Sequence, residues 1–206
     1  PKKIVHEVSE HLLAHFTNKP LIEKYYIYQH FMDYWAEVMQ DDCYLIAADG
    51  WKAETHRIIE TDKKGKQKDK GWTCDLIPKE LVVARYFADD QAELDALQAK
   101  IEAATAKRTE LEEEHGGDEG FFAELDKINK GNLKARLKEI KGDAEAKDEE
   151  KVLKQWVKLS DAEAAAKRAI KMADKTLDAA AYGEYDKLSS ADVKALVVRD
   201  KWLETL

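Results

Sequence analysis

The chain has 206 residues, of which 44% are hydrophobic and 37% carry Asp, Glu, Lys or Arg, enough for one large domain or two small ones with a real core. Its formal net charge of −8 excludes a surface that is a nucleic-acid footprint throughout, although a local basic patch remains compatible with it. Two cysteines, Cys43 and Cys74, lack CxxC spacing and exclude a disulfide framework or a zinc ribbon, and no apolar run nears the roughly 18 residues of a membrane span. Reduced thiols and the absence of a signal-peptide pattern predict a cytoplasmic protein with no membrane partner.

In chain order, Ile4, Val8, Leu12 and Phe16 recur at four-residue steps and predict an amphipathic helix. Asn18 is the expected cap of the next helix and Pro20 is tolerable in its first turn. Over residues 21 to 40, Leu21, Tyr25, Tyr28, Met32, Trp35 and Met39 mark a second buried stripe. The period then changes: Cys43, Leu45 and Ala47 alternate with Tyr44 and Ile46 as in a strand, and Asp49-Gly50 signals a turn. Residues 56 to 60 and 72 to 77 flank a long lysine-rich turn, so a β-hairpin or a three-stranded antiparallel sheet is expected, with Pro78 ending its last strand and a helix following.

From there the pattern is helical. Leu94, Leu97, Ile101, Ala104, Arg108 and Leu111 follow alternating steps of three and four until Gly116-Gly117. Trp156, Leu159, Glu163, Ala166, Ile170, Ala173, Leu177 and Ala180 repeat that seam, ending near Gly183. Residues 88 to 114 and 144 to 181 contain a single aromatic, Trp156, as suits long exposed helices. The predicted fold is therefore mainly α: a helical base with the small sheet over 1–87, a long antiparallel coiled-coil hairpin over 88–183, and a C-terminal helix over 184–206 that packs back on the base. Short tip helices, "FFAELDKIN" and "NLKARLKEIK", are expected within 118–147. Ser189 or Ser190 caps the last helix, which buries Val193, Leu196, Val197 and Trp202.

The chemistry of the residues is sparse. His11 and His15 stand one helical turn apart, with Glu7 and Glu10 near, but no HExxH motif and no third ligand suit a metal. Asp41, Asp42, Cys43 and His56 form the one set from which an acid/base or nucleophilic site would be built; the simpler reading is a helix end, a packed cysteine and a turn. "HGGDEGF" at 115–121 lacks the Lys-Ser or Lys-Thr of a phosphate loop. Lys63, Lys64, Lys66, Lys68 and Lys70 concentrate positive charge in one segment, which is either a solvated turn or a contact for a phosphate backbone.

The run "FMDYWAEVMQDDCYLIAADGWKAETHRIIETDKKGKQKDKGWTCDLIPKELVVARYF" at 31–87, with "NLKARLKEIKGD" and the closing "LVVRDKWLETL", resembles the C-terminal part of the modification subunit of type I restriction-modification enzymes. The resemblance spans essentially the whole chain. It implies a parent that transfers a methyl group from S-adenosylmethionine to N6 of adenine in DNA, working with a specificity subunit and, for cleavage, a restriction subunit. Family members use a glycine-rich cofactor loop and an Asn-Pro-Pro-aromatic motif around the extruded base. Neither occurs here, since the three prolines are Pro1, Pro20 and Pro78. No catalytic, cofactor-binding or metal residue is therefore carried over, and those sites are expected in sequence preceding Pro1. What the resemblance leaves to this chain is assembly, with Leu94, Leu97, Ile101, Leu111, Trp156, Leu159, Ile170 and Leu177 as the expected contacts for partner helices. The rivals are an autonomous coiled-coil adaptor and a small enzyme built on Asp41, Asp42, Cys43 and His56.

Overall fold

The computed structural model describes residues 2–17 and 23–203. Asn18, Pro20 and Leu21 lie outside them, as does the side chain of Ile4. The chain divides into two compact units, one made of Pro1–Tyr86 with Ala180–Leu206, the other of Phe87–Ala179. No helix among the described residues is long and apolar enough to cross a membrane.

The first unit opens with α1 (Lys2–His15) and α2 (Lys24–Tyr34). From α2 the backbone runs through a π-helical turn, Trp35–Met39, directly into α3 (Gln40–Asp49). The predicted strand around Cys43 is thus a helix. In the wide turn the Gln40 N–H donates to the Trp35 carbonyl, five residues back, so one extra residue is absorbed. Three α-helical turns take about 10.8 residues; with the insertion they take about twelve. Phe31, Trp35, Met39 and Cys43, at strict four-residue steps, therefore share one face and form a buried cluster. Val5, Val8 and Leu12 of α1 pack against it. Of the expected stripe, Met32, Trp35 and Met39 lie in or against this cluster, whereas Tyr25 and Tyr28 are 69% and 42% exposed, a correction to the predicted face of α2. α3 ends at Gly50, whose φ of 79° lies in the left-handed region that a side chain disfavours.

Two strands follow, β1 (Thr55–Thr61) and β2 (Gln67–Cys74), paired antiparallel; no third strand joins them among the described residues. β1 leads into β2 through Asp62–Lys66, so the long loop expected is a short turn. Pro78 then precedes α4 (Lys79–Tyr86), which buries Val82 and Val83.

In the second unit, α5 (Ala88–His115), α6 (Lys130–Glu139) and α7 (Lys147–Tyr185, here through Ala179) enclose a core of Leu111, Phe122, Leu133, Ile140, Leu153 and Trp156. α5 and α7 run antiparallel: Arg108 meets Glu163, while Glu112, one turn further along α5, meets Trp156 earlier on α7. This is the predicted helical hairpin. Only one of the two tip helices forms. "FFAELDKIN" is a series of turns, in which Phe122, Leu125 and Ile128 drop into or against the core at three-residue intervals. Asn129 then takes an extended conformation and its side chain accepts the Asn132 N–H, which starts α6 as a separate helix.

α7 passes through Gly183 to Tyr185, because the buried Tyr185 hydroxyl donates to the Ile77 carbonyl and anchors the final turn. Ser189 caps α8 (Ser190–Lys194) in a capping box with Asp192, and a π-helical segment, Ala195–Leu203, continues from it. Val193, Leu196 and Val197 are buried as expected, and Trp202 packs at the Phe31–Cys43 cluster.

Candidate functional site

Asp42, one position before the buried Cys43, is carried inward by α3. Its carboxylate accepts from Lys201 Nζ at 2.7 Å and from Trp202 Nε1 at 2.9 Å, and Lys201 also donates to the Leu76 carbonyl at 2.9 Å. The Tyr34 hydroxyl bonds the Trp202 carbonyl. A carboxylate 5% exposed that is met by a cation and an indole N–H is a fastening, since both its oxygens are occupied from the far end of the chain. Sequence reading missed this pair, whose one signal is an acid beside the four-residue apolar stripe and a Lys-Trp step in the last helix.

The enzyme set does not assemble. Cys43 packs with Phe31, Trp35 and Met39, Asp42 is spent on Lys201 and Trp202, and His56 lies 3.6 Å from Asp75 on the hairpin. Burial pushes the Cys43 thiol up, opposite to an activated nucleophile. The Cys74 thiol, in a cleft of about 210 Å³ shared with Asp49, Glu54 and His56, is likewise raised by burial. His11 and His15 line an open groove with Glu7. Among the described residues no group of three or more His, Cys, Asp or Glu side chains is arranged to hold a metal ion.

The five lysines divide. Lys63, Lys64 and Lys66 belong to the turn, while Lys68 and Lys70 lie on β2. The turn is tightly built: Asp62 and Lys66 bond through backbone, Gly65 adopts φ 77°, and Asp62 Oδ1 accepts the N–H groups of Lys64 and Lys66 at 2.8 and 3.0 Å. Along the ribbon Ile59 pairs with Asp69 and Glu60 with Lys68. The register then slips between Arg57 and Ile59, so that Arg57 pairs with Trp72. One face therefore carries Arg57, Ile59, Asp69 and Trp72, and its base packs on α7: Trp72 contacts Tyr182 and Tyr185, and Arg57 sits over Tyr182. The other carries Ile58, Glu60, Lys68 and Lys70, all exposed.

On the helical hairpin, Leu111, Trp156 and Leu177 are buried, whereas Leu94, Leu97, Ile101, Leu159 and Ile170 are partly buried. Arg108, the charged interruption of the first seam, donates to Glu163 at 2.6 Å and lies over the Trp156 ring. Trp156 Nε1 donates to Glu112 at 2.7 Å. Hydrogen bonding from Lys167, with the charge of Arg108 beside it, holds the Glu163 carboxyl below the usual range.

Comparisons of the chain with protein-family models, with curated proteins and with solved structures find no match.

Proposed function

We propose that the chain is the C-terminal part of a type I restriction-modification methyltransferase subunit and that it serves assembly, offering its helical hairpin to helices of the specificity subunit. One observation carries the assembly reading: although α5 and α7 are paired, Leu94, Leu97, Ile101 and Ile170 are only partly buried, and Met172 of α7 is 73% exposed. Two helices cover only one side of each other, and a stripe of this kind is what an amphipathic partner helix covers. The resemblance of residues 31–87 supplies the identity of the partner. Chemistry, S-adenosylmethionine and the flipped adenine belong in this reading to the parent subunit's catalytic part, and the restriction subunit and DNA belong to the full assembly.

Sedimentation of the chain with the specificity subunit tests it. A joint complex is expected, and Leu97→Glu, Ile101→Glu and Ile170→Glu together abolish it while helicity is kept. A triple variant that assembles as the wild type does would overturn the hairpin as the contact, and no joint complex with the wild-type chain would favour the rival, a self-contained coiled-coil adaptor closed by its own Leu111–Trp156 core.

A further inference from the structure

We propose that the β1–β2 ribbon is a docking element for the phosphate backbone of double-stranded DNA, with Lys63 and Lys64 at its tip and Lys66, Lys68 and Lys70 along one edge. The inference stands on charge and ribbon geometry and does not depend on the assembly reading. Residues 55 to 74 carry six basic and three acidic side chains, a net +3 inside a chain of net charge −8. Each of the three acids is already engaged. Glu60 pairs with Lys70 at 2.8 Å, Asp69 lies 3.6 Å from Arg57 and accepts the Gly71 N–H, and Asp62 is spent on the amides of the turn. Among the described residues Lys63, Lys64, Lys66 and Lys68 have no ion-pair partner. Four uncompensated ammonium groups on one projection favour a polyanion over a lone carboxylate partner.

The geometry narrows the polyanion. Lys68 and Lys70 stand two residues apart on β2, so their stems start about 6.8 Å apart along the strand, which is two of the roughly 3.4 Å axial steps between phosphates of one strand of a duplex. A two-stranded ribbon is also of a width that the major groove admits. The opposite face is fixed at its base by Trp72 on Tyr182 and Tyr185, which leaves the lysine face turned to solvent. The hydrogen-bonded turn holds the backbone of the tip lysines in place before any ligand arrives, which lowers the ordering cost of binding.

Titration of the whole chain with a short mixed-sequence duplex, at several salt concentrations, tests this. Binding that weakens with salt is expected, and Lys63→Gln, Lys64→Gln, Lys66→Gln and Lys68→Gln together reduce the log–log slope by about 3 to 4, at roughly 0.9 for each phosphate no longer neutralised. A matched variant, Lys100→Gln, Lys107→Gln, Lys171→Gln and Lys175→Gln, makes the same change in net charge on the helical hairpin and is expected to keep the wild-type slope. No duplex binding at low salt, an equal loss in both variants, or preference for anionic lipid vesicles over the duplex would overturn the proposal. The seam variants that dissolve subunit assembly leave duplex binding intact, so the two readings fail separately.

Discussion

Arg108 of α5 donates to Glu163 of α7 at 2.6 Å while its guanidinium lies over the Trp156 ring. Both charged residues stand at seam positions where a coiled coil ordinarily holds aliphatic side chains, and a single polar pair at such a place fixes register. Sliding either helix by one seam position would leave an arginine and a glutamate facing leucine or alanine. Trp156 completes the arrangement, since its N–H is satisfied by Glu112 and its ring fills the core beside Leu111 and Leu153.

Trp156→Ala is expected to destabilise the second unit by about 3 to 5 kcal/mol, the range for deleting a buried tryptophan. Chemical denaturation monitored by circular dichroism measures it. A loss under about 1 kcal/mol would mean that the core around Leu111 and Phe122 holds the hairpin without it.

The acid limb of stability should report Glu163. Its folded pKa lies below the unfolded one, so its contribution is full above the ordinary carboxylate value of about 4.3 and is lost as pH falls through the depressed folded value. Unfolding measured from pH 7 to pH 3 for the wild type and Glu163→Gln is expected to show a gap at neutral pH that closes in acid. A gap independent of pH would assign the role of Glu163 to packing.

Much of this hairpin was legible. The three-four spacing located both long helices, Gly116 marked the end of one and Arg108 its charged interruption. The first unit was harder, and for a local reason. One π-helical turn at Trp35–Met39 shifts the phase of everything after it, so the stripe to read was Phe31, Trp35, Met39 and Cys43 at constant steps of four, which a 3.6-residue period disguises. Alternation of Cys43, Leu45 and Ala47 then imitates a strand in a segment too short for the helical period to contradict it. Within the candidate site, the lysines were visible as charge, but their division between turn and strand depends on Asp62 capping the turn early. The Asp42–Lys201 contact joins residues 159 positions apart, and no local pattern encodes such a pairing.

Asp42→Ala removes the buried carboxylate that both Lys201 and Trp202 bond, so a loss of about 3 kcal/mol or more is expected. Lys201→Met in the same background should restore part of it, which a double-mutant cycle would read as coupling. Additive effects would show the two side chains to be energetically independent.

Both thiols are buried and raised by that burial. Maleimide labelling of the native chain at pH 7 is therefore expected to be slow, with both cysteines reacting once the chain is denatured. Rapid labelling of Cys43 in the native protein would reopen the enzymatic reading of Asp41, Asp42, Cys43 and His56.

Ser189→Ala removes the capping box at the start of α8 and is expected to cost about 1 kcal/mol, read by thermal unfolding. No change would mean that burial of Val193, Leu196 and Val197 holds this end alone.

Calorimetric titration of the chain against the specificity subunit, and separately against S-adenosylmethionine, tests the assembly role most directly. The account predicts saturable binding to the subunit and no heat from the cofactor. Binding of S-adenosylmethionine with none to the subunit would contradict it and would place a methyl-donor site within these residues.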